Sequence, residues 1–218
     1  MPAKRPRKTP GTGKATGTID LFDAMRERRS IRRFKPDPVP REKILAMVAA
    51  AMEAPAAGNV RNYRFLVVER RDLLAQMRGI VDEILSRVTG SPVSGRITHH
   101  NLFAAAPAAV CVVGTPYESA TDRHLRANDP ERHRVRRWQV NPGLQSVSAA
   151  VTQFLLAAHG LGYGTCWMTG PLVAKAELES VLSVTPPEEL LAVIAVGLPD
   201  SATPKPVRES PETITEFR

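Results

Sequence analysis

In this 218-residue chain AAVCVVG at 108–114 and LLAVIAVG at 190–197 read as strands and contain no polar side chain. A strand that is apolar on both faces cannot rest either face against water, so it must be covered from both sides. Two other runs, YRFLVVE at 63–69 and GTCWM at 164–168, read as companion strands. Everything else in the chain has to supply the cover.

The intervening segments have helical period. Residues 18–29 place Leu21, Phe22 and Met25 on one helical face, with Thr18 as N-cap. Pro40 suits the first turn of a helix over 41–53 that buries Ile44, Leu45, Val48 and Met52, and Pro55 and Gly58 end it. Residues 71–88 form a third helix. A fourth spans 143–159, with Leu144, Val147, Val151, Phe154, Leu155 and Ala158 inward, and a last one 173–183. The charged, weakly periodic stretch 115–140 reads as an exposed excursion. Strands do not alternate strictly with single helices, and no G-x-G-x-x-G follows a strand. The class is therefore α+β, a helix-covered sheet, rather than a doubly wound dinucleotide fold.

Charge narrows the function. The net charge is +8, but Lys4, Arg5, Arg7, Lys8 and Lys14 all precede the first acid, Asp20; without them the excess is +3. Residues 1–17 read as a disordered basic tail and 18–218 as one domain. Gly-Thr-Gly-Lys at 11–14 lacks the preceding strand and glycine spacing of a phosphate loop. A basic nucleic-acid-binding fold would spread its charge, which leaves only the tail for such a role. No apolar run approaches the roughly 18 residues of a membrane span, and no secretory signal follows the basic start. Cys111 and Cys166 sit in apolar runs and read as buried thiols of a reducing, cytoplasmic setting.

Four segments carry chemistry. Arg28-Arg29-Ser30-Ile31-Arg32-Arg33-Phe34 follows the end of a helix, where the dipole offers an anion nothing, so its side chains must supply the charge. Guanidinium forks match phosphate oxygens, although a solvated basic edge would look the same. Residues 54–63 form a small-residue turn into a strand, in which Asn59 can donate and accept at the edge of a planar ligand; an ordinary helix-to-strand turn is the alternative. Gly160 to Pro171 brings a glycine-rich strand and a turn at Thr169-Gly170. Val196-Gly197-Leu198-Pro199 is followed by Lys205 and Arg208.

In this order the four segments resemble the nitroreductase family. Its pattern runs Arg-Arg-Ser-x-Arg, a Pro-Ser-x-x-Asn-x-Gln-Pro-Trp-like turn, Gly-Leu-Gly-Thr-Cys-Trp, Gly-x-Pro and a final basic residue. The resemblance covers about residue 20 to the end. It implies a homodimer whose central mixed, mostly antiparallel sheet is flanked by helices, with FMN in clefts at the interface. Arg28, Arg29, Ser30 and Arg32 would hold the phosphate and pyrimidine side. Asn59 would come from the partner subunit, with Arg61 beside it. The backbone of Met168, Thr169 and Gly170 would face N5, and Lys205 or Arg208 would add to the phosphate site. The resemblance further implies NAD(P)H as reductant, ping-pong turnover, and an electron-poor small-molecule acceptor such as a nitroaromatic or quinone. No catalytic side chain and no metal is needed. Rivals are a specialised flavin enzyme of dehalogenating or flavin-fragmenting type, or a nucleic-acid or partner-binding protein acting through the tail.

The chain departs from the pattern in places. Ala56 and Ala57 replace the serine, Arg61-Asn62-Tyr63 stands where Gln-Pro-Trp is common, and Thr169 stands where an acid often does. Arg61 and the cluster Arg132, Arg134, Arg136 and Arg137 could attract the extra phosphate of NADPH, or simply be solvated or pair with Asp129 and Glu131. His99, His100, His124, His133 and His159 lack metal-ligand spacing and read as surface or core residues.

Overall fold

The computed structural model describes residues 19–93, 98–201, 203–204 and 206–218. The basic tail, the Gly-Thr-Gly-Lys run, Thr18 and Lys205 lie outside the described residues. The first helix, α1 (Leu21–Glu27), is capped by Asp20, whose carboxylate accepts from the amides of Phe22 at 2.9 Å and Asp23 at 3.3 Å. An anionic cap also complements the helix N-terminus.

Seven α-helices and four strands follow one another among the described residues. After α1 come α2 (Arg41–Met52), β1 (Tyr63–Val68), α3 (Arg71–Thr89), β2 (Ala108–Gly114), α4 (Ala120–Asn128) and α5 (Pro130–Gln139). Then follow α6 (Pro142–Gly160), β3 (Gly164–Met168), α7 (Lys175–Val181) and β4 (Glu189–Gly197). The sheet order is β1-β2-β4-β3 and every neighbouring pair is antiparallel. A single parallel bridge, Ser30 to Thr165, makes the sheet mixed.

The two all-apolar strands are the central pair, and both their faces are covered. Cys111, Val113, Val193 and Ala195 pack beneath α3 and α7, with Leu74, Met77, Phe103 and Leu178. Val110, Val112, Ile194 and Val196 pack beneath α2 and α6, with Met47, Val147, Val151 and Phe154. Phe154 is fully buried, and truncating such a side chain to alanine costs about 3–5 kcal/mol.

Four expectations about the helices and the excursion need correction. In α2 the inward stripe is Ile44, Met47, Val48 and Ala51, while Leu45 and Met52 are exposed. The stripe keeps helical spacing, but an alanine closes it where a larger apolar residue was expected. Leu144 in α6 is likewise exposed. The excursion at 115–140 is two helices. Ser119 and Asp122 form a reciprocal capping box on α4, and Asp129 caps α5 with Pro130 in its first turn. The expected helix at 173–183 is a tight turn over Gly170–Ala174 that runs into α7. Among the described residues no helix is long and apolar enough to cross a membrane.

Candidate functional site

Where α1 ends, the chain is laid along the free edge of β3. The Ile31 amide donates to the Thr165 carbonyl at 2.8 Å, and the Lys35 amide to the Leu198 carbonyl at 2.9 Å. A side-chain carbon on Gly164 would lie 2.6 Å from Ile31 Cγ1, so the glycine is what lets the two backbones approach. The seam holds Ser30 opposite Thr165, with the arginines around it.

Arg28 is half-buried. Burial pushes its guanidinium below the usual arginine range, and the neighbouring charges of Arg29 and Arg208 push the same way. Three cations thus share one neighbourhood. Arg29 places Nη1 on the carbonyls of Arg26 (2.9 Å) and Arg28 (2.6 Å), and Arg32 places Nη1 on the carbonyl of Ser30 (3.3 Å). Among the described residues none of Arg28, Arg29, Arg32 and Arg208 has a carboxylate partner. Cations gathered this way repel one another until an anion joins them. His159, in the last turn of α6, faces the same group. Its Nε2 is buried without a partner, and burial lowers its pKa, with Glu27 opposing and Arg28 and Arg29 reinforcing that shift.

At the far end of β3, Met168 is buried, Thr169 exposed and Gly170 half-buried. Gly170 packs against the turn at 98–101. A side-chain carbon there would lie 3.0 Å from the His99 carbonyl oxygen and 3.1 Å from His100 Cδ2. That turn is pinned from behind: the Thr98 amide donates to Asn101 Oδ1 at 2.7 Å, and Asn101 Nδ2 donates to Asp82 Oδ1 of α3 at 2.6 Å. Beside it opens a cavity of about 680 Å³, lined in part by Arg32, Leu85, Val93, His99, His100 and Leu102. Arg32 and Arg28 also act together on the Cys166 thiol, which burial pushes up and the two cations pull down. The arginine segment, β3 and the histidine turn therefore make one region.

The turn before β1 is held elsewhere. Ala57 donates its amide to Ser146 Oγ at 2.9 Å, and Asn62 Nδ2 donates to the Thr115 carbonyl at 2.8 Å. Gly58 has φ 60°, and a side chain on it would strike Tyr117 Oη. Asn59 is exposed, and Arg61 lines a separate cavity with Arg64 and Glu188. No hydrogen bond or ion pair among the described residues joins Asn59 or Arg61 to the Arg28–Arg32 stretch. Of the expected site residues the structure gathers Arg28, Arg29, Ser30, Arg32 and Arg208, with Met168, Thr169 and Gly170 along the same strand. His99, His100 and His159 were not expected. The long-range Asp82–Asn101 bond that places the first two leaves no local signal in the sequence.

A model of the nitroreductase family matches residues 25–198. A BluB-like flavoprotein from Clostridium difficile 630 superposes with a TM-score of 0.80 at 30% identity, covering 92% of this chain and 99% of that one. An iodotyrosine deiodinase solved with FMN and 3-iodo-L-tyrosine superposes with a TM-score of 0.69 at 25% identity, covering 91% and 98%. The Bacillus subtilis (strain 168) protein YfhC, provisionally named an NAD(P)H nitroreductase, is 25% identical over 183 residues, 84% of this chain and 86% of its own. With the arginine segment, the glycine-rich edge strand and this sheet in place, the chain belongs to the nitroreductase family.

Proposed function

We propose that the chain binds FMN non-covalently and carries hydride from NAD(P)H to an electron-poor acceptor such as a nitroaromatic or a quinone. The observation that carries this reading is that Arg28 lies half-buried under the charges of Arg29 and Arg208 while, among the described residues, none of the three has a carboxylate partner. A phosphate monoester supplies the missing charge, and its oxygens suit guanidinium forks and the Ser30 hydroxyl. The iodotyrosine deiodinase structure, which holds FMN, supports the choice of anion.

The donor set fits the rest of FMN as well. Arg32 reaches the cavity beside Gly170, where a cation stabilises negative charge on the pyrimidine edge of a reduced ring. Gly170 itself carries no side chain at the strand end expected to face N5. When bound, the flavin supplies the hydride chemistry in two half-reactions at one face. The protein's part is to hold the phosphate, place a cation at the pyrimidine and shape the space above the ring.

The site is completed by a second copy of the chain. Leu21, Phe22 and Met25 of α1 are 59%, 72% and 52% exposed, and Val207, Ile214 and Phe217 of the C-terminal segment are 87% exposed or more. Exposed apolar side chains on one helix and on one terminal segment are what a subunit interface would cover. A dimer would also bring the partner subunit's Asn59 and Arg61 to the arginine segment that they do not reach within one chain.

A second reading, a specialised fate for the flavin such as reductive dehalogenation, is favoured by the deiodinase likeness and by Trp138 on α5, which is 82% exposed. Steady-state kinetics with NADPH and menadione test the main reading. Parallel double-reciprocal lines are expected for two half-reactions at one site, and intersecting lines would contradict it. Turnover of 3-iodo-L-tyrosine without turnover of menadione would favour the second reading.

A further inference from the structure

We propose that Tyr117 is the positioning residue for Asn59. Its ring closes over the turn before β1 and holds the left-handed backbone that presents the Asn59 amide to the flavin of a second copy. This rests on the reading above, in which Asn59 reaches FMN from the partner subunit, and it names the side chain that sets that contact.

The turn is built from backbone that few residues adopt. Gly58 has φ 60° and Asn59 φ 54°, and the Val60 amide donates to the Ala57 carbonyl at 3.2 Å. Two successive left-handed residues inside one four-residue bend are the mark of a type I′ turn. Glycine takes that conformation freely and asparagine more readily than most residues, yet it persists only where the surroundings hold it. Asn59 is exposed at the tip, so any relaxation of the backbone redirects its amide. Ala56 and Ala57 stand where the family pattern has a serine. The turn therefore brings no hydroxyl of its own at those positions, and its support comes from outside.

Tyr117 supplies the hold at Gly58. A side-chain carbon on that glycine would lie 2.5 Å from Tyr117 Oη and 3.4 Å from Cζ, so the phenol end rests on the turn's backbone. Among the described residues the hydroxyl makes no hydrogen bond, and the hold is one of contact. The root of Tyr117 is wedged just as closely. A side-chain carbon on Gly143 would lie 3.0 Å from Tyr117 Cβ and 3.3 Å from its amide nitrogen. Two residues earlier, the Thr115 amide donates to the Asn62 carbonyl and Asn62 Nδ2 to the Thr115 carbonyl, both at 2.8 Å. The turn's second anchor is Ser146 of α6, whose Oγ accepts from the Ala57 amide and donates to the Pro142 carbonyl, both at 2.9 Å. A ring fixed at its base and pressed on Gly58 places the next residue, Asn59, through packing alone.

The test is a double-mutant cycle on FMN binding, read by fluorescence titration of the flavin-free protein. Asn59→Ala removes one hydrogen bond and should weaken FMN by a factor of up to roughly ten. Tyr117→Ala should weaken it by a similar factor, because Asn59 is present but misplaced. The double variant should then be no weaker than Asn59→Ala alone, within about twofold. Tyr117→Phe keeps the ring over Gly58 and should restore nearly all the affinity. Two factors that multiply in the double variant, or a Tyr117→Ala protein that binds FMN like the wild type, would overturn the inference. Gly58→Ala offers a second route that does not need the tyrosine removed. Its methyl group presses on Oη and should weaken FMN, and adding Tyr117→Phe should recover several-fold of the loss; no recovery would also overturn the inference. Full FMN affinity after Asn59→Ala would overturn the Asn59 contact and this inference with it, while leaving the arginine seat intact. A wild-type chain that takes up no FMN would overturn the reading beneath both.

Discussion

Two stretches of this chain are rich in arginine, 28–33 and 132–137, and by composition they are alike. Their partners differ. In the second stretch Arg132 meets Asp129 at 3.5 Å, Arg134 grips Glu131 through two bonds of 3.0 and 2.6 Å, and Arg136 reaches Asp122 at 2.6 Å. Arg137 alone has no ion-pair partner among the described residues. In the first stretch only Arg33 finds an acid, Asp200 at 3.8 Å, while Arg28 lies under the charges of Arg29 and Arg208, and among the described residues Arg28, Arg29 and Arg32 have no carboxylate partner. Arginines that already hold carboxylates organise structure. The proposed reading gives a ligand to the arginines that hold no carboxylate, so the number of partners, not of charges, is what sets the two stretches apart.

The largest effect should come from breaking the unpartnered set. Arg28→Ala removes a charge-assisted contact to phosphate worth roughly 1.5–3 kcal/mol, which weakens FMN about 10- to 100-fold. Fluorescence titration of FMN measures it. Arg134→Ala, on an exposed pair, should leave the same titration unchanged. If the two substitutions weaken FMN equally, the comparison fails.

Next comes the structural arginine. Burial pushes Asp122 up, but the Ser119 hydroxyl and amide and the Arg136 guanidinium outweigh it and bring the carboxyl down to about 2 from 3.8. The folded form therefore gains stability above pH 3.8 and loses it as pH falls through about 2, a contribution on the order of 2 kcal/mol. Arg136→Ala should remove much of that gain and lower Tm by about 4–8 °C at neutral pH, with FMN affinity intact. Calorimetric scans at pH 7 and pH 3 check both halves, and a difference between wild type and Arg136→Ala that is no smaller at pH 3 would show that the Asp122 pair is not its source.

Smaller effects are expected where arginines remain free but exposed. Arg61→Gln, or loss of Arg137, should reduce the preference for NADPH over NADH only a few-fold, and high salt should erase the difference. Equal use of the two reductants at every ionic strength would remove both residues from the cofactor path. Deleting residues 1–17 takes away five positive charges and should change neither flavin content nor turnover. A large fall in either would give the tail a part in the site.

The strands were legible because their signal is dense. AAVCVVG and LLAVIAVG allow no face to water, and their ends fall within a residue of those expected. Helix faces were harder wherever alanine stands in for a larger apolar side chain, as Ala51 does in α2. Helices α4 and α5 have charged, weakly periodic sequences and were missed. Their stability comes from caps and from the Arg136–Asp122 pair, fourteen residues apart, rather than from an apolar stripe. In the site, Arg28 to Arg32 announced themselves by residue type and spacing. His99 and His100 could not, because a buried asparagine bonded across nineteen residues to Asp82 is what sets them against Gly170.

The central claim is that the Arg28–Arg29–Arg208 cluster is a phosphate seat for FMN. The most direct measurement is the absorbance spectrum of the purified protein, followed by titration of flavin-free chain with FMN and with riboflavin. The account predicts a yellow protein that holds FMN non-covalently and binds it far more tightly than riboflavin, which lacks the phosphate. A colourless chain that ignores added FMN, or one that binds the two equally, would contradict it.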